Sequence, residues 1–448
     1  MKKIKPSIPR GTRDFGPNEM IKREYIFSIL KKIFMNYGFQ NIETPSLEKV
    51  DILKGNYGEE GDKLLYNILD SGDFLKNATI DPKTNYKTLK RKISQKGLIY
   101  DLTVPLARYV SMNRDKISFP FKRYQIQKVW RADRPQKGRY REFYQCDIDY
   151  VGTNSILCEI EIIDIISEVF QKLKYEKFKI KLNNRKVLAG IAEQLNIKER
   201  FIDLCISIDK IDKIGISGLK QELLKQDFDD TNINQIIKVF EFKGNNKEKL
   251  NFIKSFILSS KIGIEGIKEL ENITKYKNNI TIDFSLARGL SYYTSSIFEV
   301  ISDDINQGSL AGGGRYDNLT EIFGLKDCSG IGVSFGLERI FNTLEENKLF
   351  PKEFKKSIQV MVTNLGDDLL NNSLDVTKML RENNIPTEIY LSSGKLKKQL
   401  QYANNNNIPY VIIIGEDEQK KDSAIVKNMI SGIQKLVQVN KILNIINL

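Results

Sequence analysis

Histidine is absent from all 448 residues of the sequence. This absence excludes the catalytic classes that depend on imidazole, namely Ser-His-Asp hydrolases, Cys-His proteases and enzymes with histidine-ligated metals. Any catalysis by this chain must therefore use arginine, lysine, carboxylates or the phosphate groups of a substrate.

Cysteine is also scarce, because the chain has only 4 cysteines and none of them forms a C-x-x-C pair. Neither a zinc site nor a disulfide framework is indicated, so we predict no protein-bound metal. No apolar run approaches the roughly 18 residues that a membrane span needs, and the basic segment 1–10 lacks the apolar stretch of a signal peptide. We therefore expect a cytoplasmic protein without a membrane partner.

The residues that are present indicate a globular protein, with 41% hydrophobic and 28% charged residues. A chain of 448 residues is too long for one ordinary core, so we expect two or three domains. The net charge of +13 favours an anionic partner such as nucleic acid. Lysine is abundant along the whole chain, however, so general composition bias explains the charge equally well.

Apolar spacing predicts an organisation in which a sheet is interrupted by helices. An amphipathic helix at 20–37 precedes an extended segment that contains Pro45. Two strand-like runs, 124–130 and 141–150, flank a polar loop and predict a long antiparallel hairpin with a basic tip. Helical spacing fills 186–276 without a catalytic pattern, and strand signals return after it.

Past the linker 349–356 the pattern changes to alternating strands and helices, which predicts a small, mostly parallel α/β domain. The predicted domains are a catalytic domain in two parts (1–175 and 279–348), a helical insertion (176–278) and a C-terminal domain (357–448).

The tip of the hairpin is rich in arginine. Arginine presents a rigid planar fork that suits phosphate oxygens, and an arginine on a strand is held more firmly than one within a loop. Arg131, at the end of the first strand-like run, is therefore a candidate for binding a phosphate. A solvated basic loop would be the simpler explanation if this segment stood alone.

A second pattern lies near residue 330, where Gly330, Gly332 and Gly336 recur with Ser334 on one face of a strand. A face without bulk can accept a flat ligand such as adenine, with Arg339 beside it. Close packing against a neighbouring strand explains the glycines equally well, but it does not explain the Glu338-Arg339 pair that follows.

The segments 42–45, 130–143 and 330–339 resemble the three signature motifs of class II aminoacyl-tRNA synthetases, in the expected order. Three further segments narrow the resemblance to the histidyl-tRNA synthetase family: 100–109 (YDLTVPLARY), 138–149 (GRYREFYQCDID) and 286–294 (LARGLSYYT). The resemblance covers the catalytic portion strongly, the C-terminal domain in pattern, and the insertion only in position and helical character.

The resemblance implies a fold of the α/β (α+β) class, with an antiparallel sheet flanked by helices, an inserted helical domain and a C-terminal anticodon-binding domain. It implies activation of histidine with ATP and Mg²⁺, transfer of histidine to tRNA(His), and a homodimer. Arg131, Glu142 and Arg339 would bind ATP, and Arg288 and Arg131 would be catalytic. The residues expected to bind histidine are Asp101, Thr103, Gln145, Asp149, Arg288, Tyr292 and Tyr293.

Tyrosines and a carboxylate suit an imidazole, because they distinguish it from an apolar side chain of the same shape. A fixed cation at Arg288 would orient the anionic carboxylate against the anionic triphosphate. The transfer step cannot use a histidine base, so a phosphate oxygen of the adenylate is the expected base. The expected contacts with the tRNA acceptor stem are Arg134, Lys137, Arg139 and Arg141, and Lys395, Lys397, Lys398 and Lys427 could contact RNA in the C-terminal domain.

Three departures from the family pattern concern support of the pocket or its surroundings. Ile99 stands where arginine is usual, Ser291 where aspartate is usual, and Gln127 replaces a small residue. None of the three removes a residue assigned to the chemistry.

Two other functions remain open. One is a catalytically silent, histidine-binding regulatory paralogue, although such relatives typically lose the motif arginines or the anticodon domain. The other is a class II enzyme of the prolyl or threonyl type. The threonyl type needs metal ligands that a chain without histidine lacks, and neither type explains the sequence RGLSYYT at 288–294.

The resemblance to this family also offers an explanation for the absence of histidine. An enzyme that supplies histidyl-tRNA and itself contains no histidine can still be translated when that tRNA is scarce. Composition drift is the alternative, and equal depletion in other proteins of the same organism would favour it.

Overall fold

The computed structural model describes residues 4–54, 62–76, 85–287, 292–305, 308–351 and 358–446. The chain divides into two compact units, Met1–Phe350 and Pro351–Leu448, which are described separately below. The helices predicted as an insertion lie in the same unit as the large sheet. The division of that unit into a catalytic domain and an insertion therefore stays a prediction.

The helices described in the first unit are α1 (Pro17–Asn36), α2 (Val50–Leu53), α3 (Tyr86–Ile93), α4 (Thr103–Met112), α5 (Leu157–Lys172), α6 (Arg185–Gln194), α7 (Phe201–Ile208), α8 (Ile211–Lys225), α9 (Asp230–Glu241), α10 (Asn246–Phe256), α11 (Lys261–Tyr276) and α12 (Leu337–Glu346). Its described strands are β1 (Gln40–Asn41), β2 (Leu47–Lys49), β3 (Asn67–Ile68), β4 (Lys96–Leu98), β5 (Phe121–Trp130), β6 (Glu142–Val151), β7 (Phe178–Asn184), β8 (Ile280–Ile282), β9 (Ser296–Ser302), β10 (Ala311–Tyr316) and β11 (Gly330–Gly336).

Eight strands form one large sheet in the order β1-β5-β6-β11-β10-β9-β7-β8. The six central strands pair antiparallel, and β1 and β8 add parallel pairs at the two edges. The predicted hairpin is β5 and β6, which pair over their full lengths from Phe121 opposite Val151 to Trp130 opposite Glu142. The antiparallel sheet expected for the fold class is confirmed.

The two faces of β6 differ in chemistry because successive side chains of a strand point to opposite sides. Cys146, Ile148 and Tyr150 belong to the main hydrophobic core together with apolar residues of α1 and α5. Gln145 and the two carboxylates that follow it at even spacing face the other side of the sheet. This alternation places the polar residues of β6 on the face away from the helices.

Aromatic packing fixes the two helices to the apolar face. The ring of Phe335 on β11 lies 5.8 Å from that of Phe34 on α1 and 6.4 Å from that of Phe170 on α5, measured between centroids. All three side chains are almost completely buried. This apolar layer leaves the opposite face of the sheet as the one on which a ligand can lie.

Six helices, α6 to α11, connect β7 to β8. Asn184 caps α6 by accepting a hydrogen bond from the Lys186 amide. Gly190 and Gly263 allow α6 and α11 to cross closely, since a Cβ on Gly190 would lie 2.6 Å from the Gly263 Cα atom. The helical part begins later than the predicted 176, because 178–184 form strand β7 of the large sheet.

A smaller sheet of three strands, in the order β2-β4-β3, lies after the first helix. The polar segment 74–97 has no apolar periodicity that would predict regular structure. Its described part nevertheless contains helix α3 and the start of strand β4, and 77–84 lie outside the described residues. Four basic residues of α3 explain why apolar periodicity did not reveal it.

The second unit contains helices α13 (Asp367–Glu382), α14 (Leu396–Asn405) and α15 (Glu416–Lys420), with strands β12 (Val360–Val362), β13 (Thr387–Ile389), β14 (Tyr410–Ile413), β15 (Ser423–Asn428) and β16 (Gln434–Gln438). The sheet order is β13-β12-β14-β15-β16. Strands β13, β12 and β14 pair in parallel, and β15 and β16 extend the sheet with antiparallel pairs that the sequence did not indicate.

In the described part of the chain, no helix has the length and apolar character required to cross a membrane.

Candidate active site

A cavity of about 1200 Å³ lies over the polar face of the large sheet. Strands β6, β10 and β11 contribute to its lining, together with the hairpin tip and the segment before β9. The predicted site residues that line it are Asp101, Thr103, Arg131, Arg139, Gln145, Asp149, Tyr292, Tyr293 and Arg339. Residues separated by more than 200 positions in sequence thus meet in one concave site.

Four other predicted residues have side chains engaged elsewhere or exposed to solvent, namely Arg134, Lys137, Arg141 and Glu142. The Glu142 carboxylate accepts hydrogen bonds from Lys128 Nζ at 2.8 Å and Trp130 Nε1 at 3.0 Å. These donors lower the pKa of Glu142 against the opposing effect of burial. Its assignment to ATP gains no support from this geometry. Arg288 and Ser291 lie outside the described residues.

Arg131 follows the last residue of β5 and is held by three contacts. Its Nε donates to the Tyr100 carbonyl oxygen at 3.1 Å. Its guanidinium lies 4.2 Å from the ring centroid of Tyr100 and 5.3 Å from that of Phe143. Stacking on aromatic rings fixes the plane of the fork, so the guanidinium is oriented before any anion arrives.

Glu338, at the start of α12, has a structural partner that the sequence did not suggest. Arg23 on α1 is buried and donates to both carboxylate oxygens, at 2.8 and 3.0 Å. Arg13 contacts the same carboxylate. Glu338 thus joins α12 to α1. Its neighbour Arg339 instead lines the cavity and donates to the Ser309 carbonyl oxygen at 2.8 Å.

Ion pairs organise the basic hairpin tip. Arg139 binds Asp133 through two hydrogen bonds, at 2.8 and 2.9 Å, and Lys137 binds Glu346 at 2.5 Å. Arg141 donates to the carbonyl oxygens of Asp133 and Arg10. Only Arg139 of the four expected acceptor-stem residues lines the cavity.

Asp149 is buried below the cavity and both of its carboxylate oxygens have partners. Oδ1 accepts from the Tyr316 hydroxyl at 2.6 Å, and Oδ2 pairs with Arg123 Nη2 at 2.8 Å. Burial raises the pKa of Asp149 to about 6, although Arg123 and Tyr316 act in the opposite direction. The carboxylate therefore sits in a fixed position on the cavity floor.

Two glycines of β11 leave room for side chains from the neighbouring strands β6 and β10. A Cβ on Gly332 would lie 2.1 Å from Asp149 Oδ1, and a Cβ on Gly330 would lie 2.2 Å from a ring carbon of Tyr316. The missing side chains of Gly330 and Gly332 allow the Tyr316–Asp149 hydrogen bond to form. Gly332 and Gly336 also line the cavity, so the interpretation that this face accepts adenine stays a prediction.

Asp101 joins two other predicted residues of the pocket. Its Oδ1 accepts from the backbone amides of Thr103 and Val104, at 3.1 and 3.2 Å, at the start of α4. Its Oδ2 accepts from the Tyr292 hydroxyl at 3.3 Å. Tyr293 packs against Tyr292 with ring centroids 4.8 Å apart. The geometry brings the sequence-predicted Asp101, Thr103 and tyrosine pair together.

Gln145 and Asp147 occupy adjacent positions on the polar face of β6. Gln145 Nε2 donates to the Ser334 hydroxyl at 2.8 Å. Burial raises the pKa of Asp147 to about 7, while Arg123 and the Ser334 hydroxyl lower it and Asp149 raises it further. The site therefore contains a second buried carboxylate beside Asp149.

No sequence motif indicated a role for Arg123, Asp147 or Tyr316. Arg123 is completely buried and lies between the two carboxylates, with Nη2 3.9 Å from Asp147 Oδ2. The even spacing of Gln145, Asp147 and Asp149 was a signal for Asp147. Arg123 and Tyr316 depend on strand pairing, which spacing within one segment does not reveal.

Two departures from the family pattern have structural explanations. Ile99 is fully buried and packs with Leu102 and Val129. Gln127 Nε2 donates to the Thr44 carbonyl oxygen at 2.7 Å and thereby ties β5 to the segment that contains Pro45. Neither residue lines the cavity.

We expect Asp147→Asn to change stability in a pH-dependent way. The pKa of Asp147 is about 7 in the folded chain and about 3.9 for an ordinary aspartate, so its ionisation opposes folding above pH 7 and not below pH 4. Relative to wild type, the variant should gain roughly 2–3 kcal/mol more stability at pH 8 than at pH 5. Urea unfolding at both pH values, without ligand, measures this, and Asp115→Asn is the exposed control. An equal difference at both pH values would contradict the buried carboxylate.

An antiparallel sheet of this order, with a hairpin arginine and a C-terminal strand leading into α12, is the architecture expected of a class II aminoacyl-tRNA synthetase. A family model described as histidyl-tRNA synthetase matches residues 74–340, and one described as anticodon binding domain matches residues 359–447. The first match covers more than half of the chain.

Curated relatives extend the similarity over nearly the whole length. The chain is 46% identical to a histidine–tRNA ligase of Cytophaga hutchinsonii, covering 98% of this chain and 99% of the relative. It is 47% identical to that of Phocaeicola vulgatus, covering 99% of both. The crystal structure of histidyl-tRNA synthetase from Nostoc sp. PCC 7120 superposes with a TM-score of 0.80 at 29% identity, covering 99% of both chains. The chain belongs to the histidyl-tRNA synthetase family.

Proposed function

We propose that the chain is a histidine–tRNA ligase, which activates histidine with ATP to histidyl-adenylate and pyrophosphate and then transfers histidine to tRNA(His). The observation that carries this proposal is the fixed carboxylate of Asp149 in a cavity shared with Tyr292, Tyr293, Arg131 and Arg339. A buried polar group disfavours any ligand that leaves it without a hydrogen-bond partner. The cavity floor at Asp149 should therefore be highly selective for its ligand. Asp149 would take a ring nitrogen of histidine.

In the first step a histidine carboxylate oxygen attacks the α-phosphorus of ATP and pyrophosphate leaves. Both reactants are anionic, so fixed cations orient them and offset the charge of the transition state. Arg131, already oriented by Tyr100 and Phe143, would bind the α-phosphate, and Arg339 would bind the nucleotide. Arg288 would stand beside the reacting carboxylate. ATP enters as its Mg²⁺ complex, so the metal is part of the substrate.

In the second step the 3′-terminal hydroxyl of tRNA attacks the carbonyl of the adenylate. The proton of that hydroxyl must pass to a base, and the chain contains no histidine. A phosphate oxygen of the adenylate would take this proton as the bond to AMP breaks. The protein then contributes position and charge to this step.

The hairpin tip would hold the acceptor stem through phosphate contacts. We expect the double variant Arg134→Ala/Lys137→Ala to raise the KM for tRNA about 10-fold and to leave ATP/pyrophosphate exchange unchanged, since exchange needs no tRNA. The dependence of tRNA affinity on salt should weaken by about one counterion per lost phosphate contact. Filter binding over a salt series measures this. Unchanged tRNA affinity at every salt concentration would remove both residues from the interface.

The C-terminal unit would bind the anticodon stem of tRNA. Lys395, Lys397 and Lys398 lie at the start of α14, and Lys427 lies on β15. All four are charged side chains that suit phosphate contacts rather than base selection.

A homodimer in the cytoplasm completes the proposal. Leu47, Leu69 and Met112 are large apolar side chains that stand 48–72% exposed beside the three-stranded sheet and at the end of α4. Large exposed apolar side chains can mark interaction surfaces, and Leu47 lies two residues after the first signature motif in the chain. Light scattering of the purified protein should give twice the mass of 51.6 kDa.

The silent regulatory paralogue is disfavoured by the curated relatives, which are histidine–tRNA ligases at 46–47% identity over nearly the whole chain. Pyrophosphate exchange with each amino acid, followed by charging of tRNA, separates the two. The proposal requires exchange that depends on histidine and a charged tRNA product. Histidine binding without exchange would support the paralogue.

A further inference from the structure

The ends of three neighbouring strands meet at one carboxylate, that of Asp317. Its Oδ2 accepts from the Thr294 hydroxyl at 2.5 Å, and its Oδ1 accepts from the Ser329 hydroxyl at 2.5 Å. Thr294 lies two residues before β9, Asp317 directly follows β10, and Ser329 directly precedes β11. None of the three belongs to the described lining of the cavity, so the carboxylate joins the strands from outside the site.

The backbone of Thr294 makes a further contact with the end of β10. The Thr294 amide donates to the Arg315 carbonyl oxygen at 2.8 Å, just beyond the last register pair of the two strands, Gly314 opposite Ile297. The Thr294 hydroxyl lies 3.3 Å from the same oxygen, which is farther than its distance to Asp317. Thr294 is therefore held by its amide and by its side chain.

A buried ion pair fixes the partner of this carboxylate. Arg315 donates to both carboxylate oxygens of Glu159 on α5, each at 2.7 Å, and its Nη1 donates to the Ser329 hydroxyl at 2.9 Å. Both charged residues are almost completely buried. Because a bidentate pair is geometrically specific, Ser329 has a fixed position, and Asp317 binds a partner that does not move.

The residues that precede Thr294 face the cavity. Tyr292 and Tyr293 both line it, and the Tyr292 hydroxyl donates to Asp101. Tyr293 packs over Gly314 of β10, where a Cβ would lie 2.9 Å from its ring. The position of the tyrosine pair therefore depends on how closely this segment is held to β10.

The residue that precedes Asp317 also faces the cavity. Tyr316 donates to Asp149 at 2.6 Å, and its ring centroid lies 6.2 Å from that of Tyr292. Thr294 and Asp317 are thus in contact behind two cavity-lining groups that are near each other. Their hydrogen bond sets the distance between the segment before β9 and the end of β10.

Resting on the proposed function, we infer that Asp317 is a positioning residue for the histidine pocket. It holds Thr294, and through Thr294 it holds Tyr292 and Tyr293 at a set distance from Tyr316. Charge-assisted hydrogen bonds are shorter and stronger than neutral ones, which suits this task. Arg131 and Arg339, proposed for ATP, belong to the hairpin tip and to α12, so the effect is specific to histidine.

Removing one hydroxyl tests the inference. Thr294→Val keeps the shape of the side chain and loses the bond to Asp317. In histidine-dependent ATP/pyrophosphate exchange, we expect its KM for histidine to rise at least 10-fold and its KM for ATP to stay within about 3-fold of wild type. Thr294→Ser, which keeps the hydroxyl, should stay within about 3-fold of wild type for both substrates.

A matched control removes a threonine hydroxyl elsewhere. Thr274 on α11 donates to the Glu271 carbonyl oxygen, and no described residue of α11 lines the cavity. Thr274→Val should therefore leave both KM values at those of wild type.

Asp317→Asn tests the same contact from the other residue. An amide has one acceptor oxygen in place of two, so one of the two hydroxyls loses its acceptor. We expect a rise of at least 5-fold in the KM for histidine. Because the two residues act through one contact, the double variant Thr294→Val/Asp317→Asn should lie within about 3-fold of the more impaired single variant.

Each outcome decides one question. Equal increases in the two KM values would overturn the inference, because the residues would then support the site as a whole. An unchanged KM for histidine, failure of Thr294→Ser to keep activity, or multiplied effects in the double variant would also overturn it. Asp317→Asn keeps the test decisive if Thr294→Val does not fold. Absence of histidine-dependent exchange in the wild type would instead refute the proposed function, which separates the two failures.

Discussion

Replacing Arg131 with alanine is expected to lower histidine-dependent ATP/pyrophosphate exchange by about 100- to 1000-fold, the usual effect of removing one preorganised transition-state donor. Three contacts orient its guanidinium before substrate binds, through the Tyr100 carbonyl and the rings of Tyr100 and Phe143. Because the guanidinium does not need to reorganise, its removal should mainly lower kcat. Steady-state exchange at saturating ATP and histidine measures the effect.

Two matched variants sharpen this test. Arg131→Lys keeps the charge and loses the planar fork, so it should recover only part of the rate. Arg114→Ala removes an exposed arginine whose only ion-pair partner in the described structure is the neighbouring Asp115, and it should leave exchange at the wild-type rate. Exchange by Arg131→Ala within about 3-fold of wild type would remove Arg131 from the reaction.

The second large effect is expected for Arg123, the buried cation beside Asp147 and Asp149. Arg123→Met is expected to destabilise the folded chain by about 3–5 kcal/mol at pH 8, because it leaves Asp147 and Asp149 buried without their shared cation. Urea unfolding followed by circular dichroism measures the free energy of unfolding of the first cooperative transition.

The same variant should show a distinct pH dependence. Burial already raises the pKa of Asp147 to about 7 and that of Asp149 to about 6 with Arg123 present, and removing the arginine raises both further. Below its folded-state pKa each carboxyl is neutral, so the penalty should shrink as the pH falls from 8 to 5. Arg114→Met should have no such effect. A loss of stability equal at pH 5 and pH 8 would mean that packing, rather than charge, explains it.

Much of the sheet was predictable from the sequence, because local patterns determine it. Strand-like runs predicted β5 and β6, and helical spacing predicted α1. The strands β15 and β16 escaped, since lysine, glutamine and asparagine occupy many of their positions and β16 is mostly exposed. An exposed edge strand has no apolar alternation to detect.

The site was predictable where its residues share a short segment. Gln145 and Asp149 lie four positions apart on one strand, and this even spacing places both side chains on one face. Arg123 reaches Asp149 because the two residues are register partners across the hairpin, and Tyr316 reaches it from β10 across β11. Such pairings depend on tertiary structure, so no local sequence pattern indicated either residue.

Two motif residues proved to have structural contacts that the sequence could not indicate. Glu338 binds Arg23 and Arg13, and Gly332 accommodates Asp149. Both positions lie within the segment that resembles the third signature motif, so a motif can combine residues that build the fold with residues that face the ligand. Arg339, one position after Glu338, is of the second kind.

The central claim is that this cavity activates histidine and no other amino acid. Pyrophosphate exchange by the purified protein, measured with each of the twenty amino acids at equal concentration, tests it most directly. The account predicts rapid exchange with histidine and background rates with the other nineteen, proline and threonine included. Exchange with another amino acid at a comparable rate, or no exchange with histidine, would contradict it.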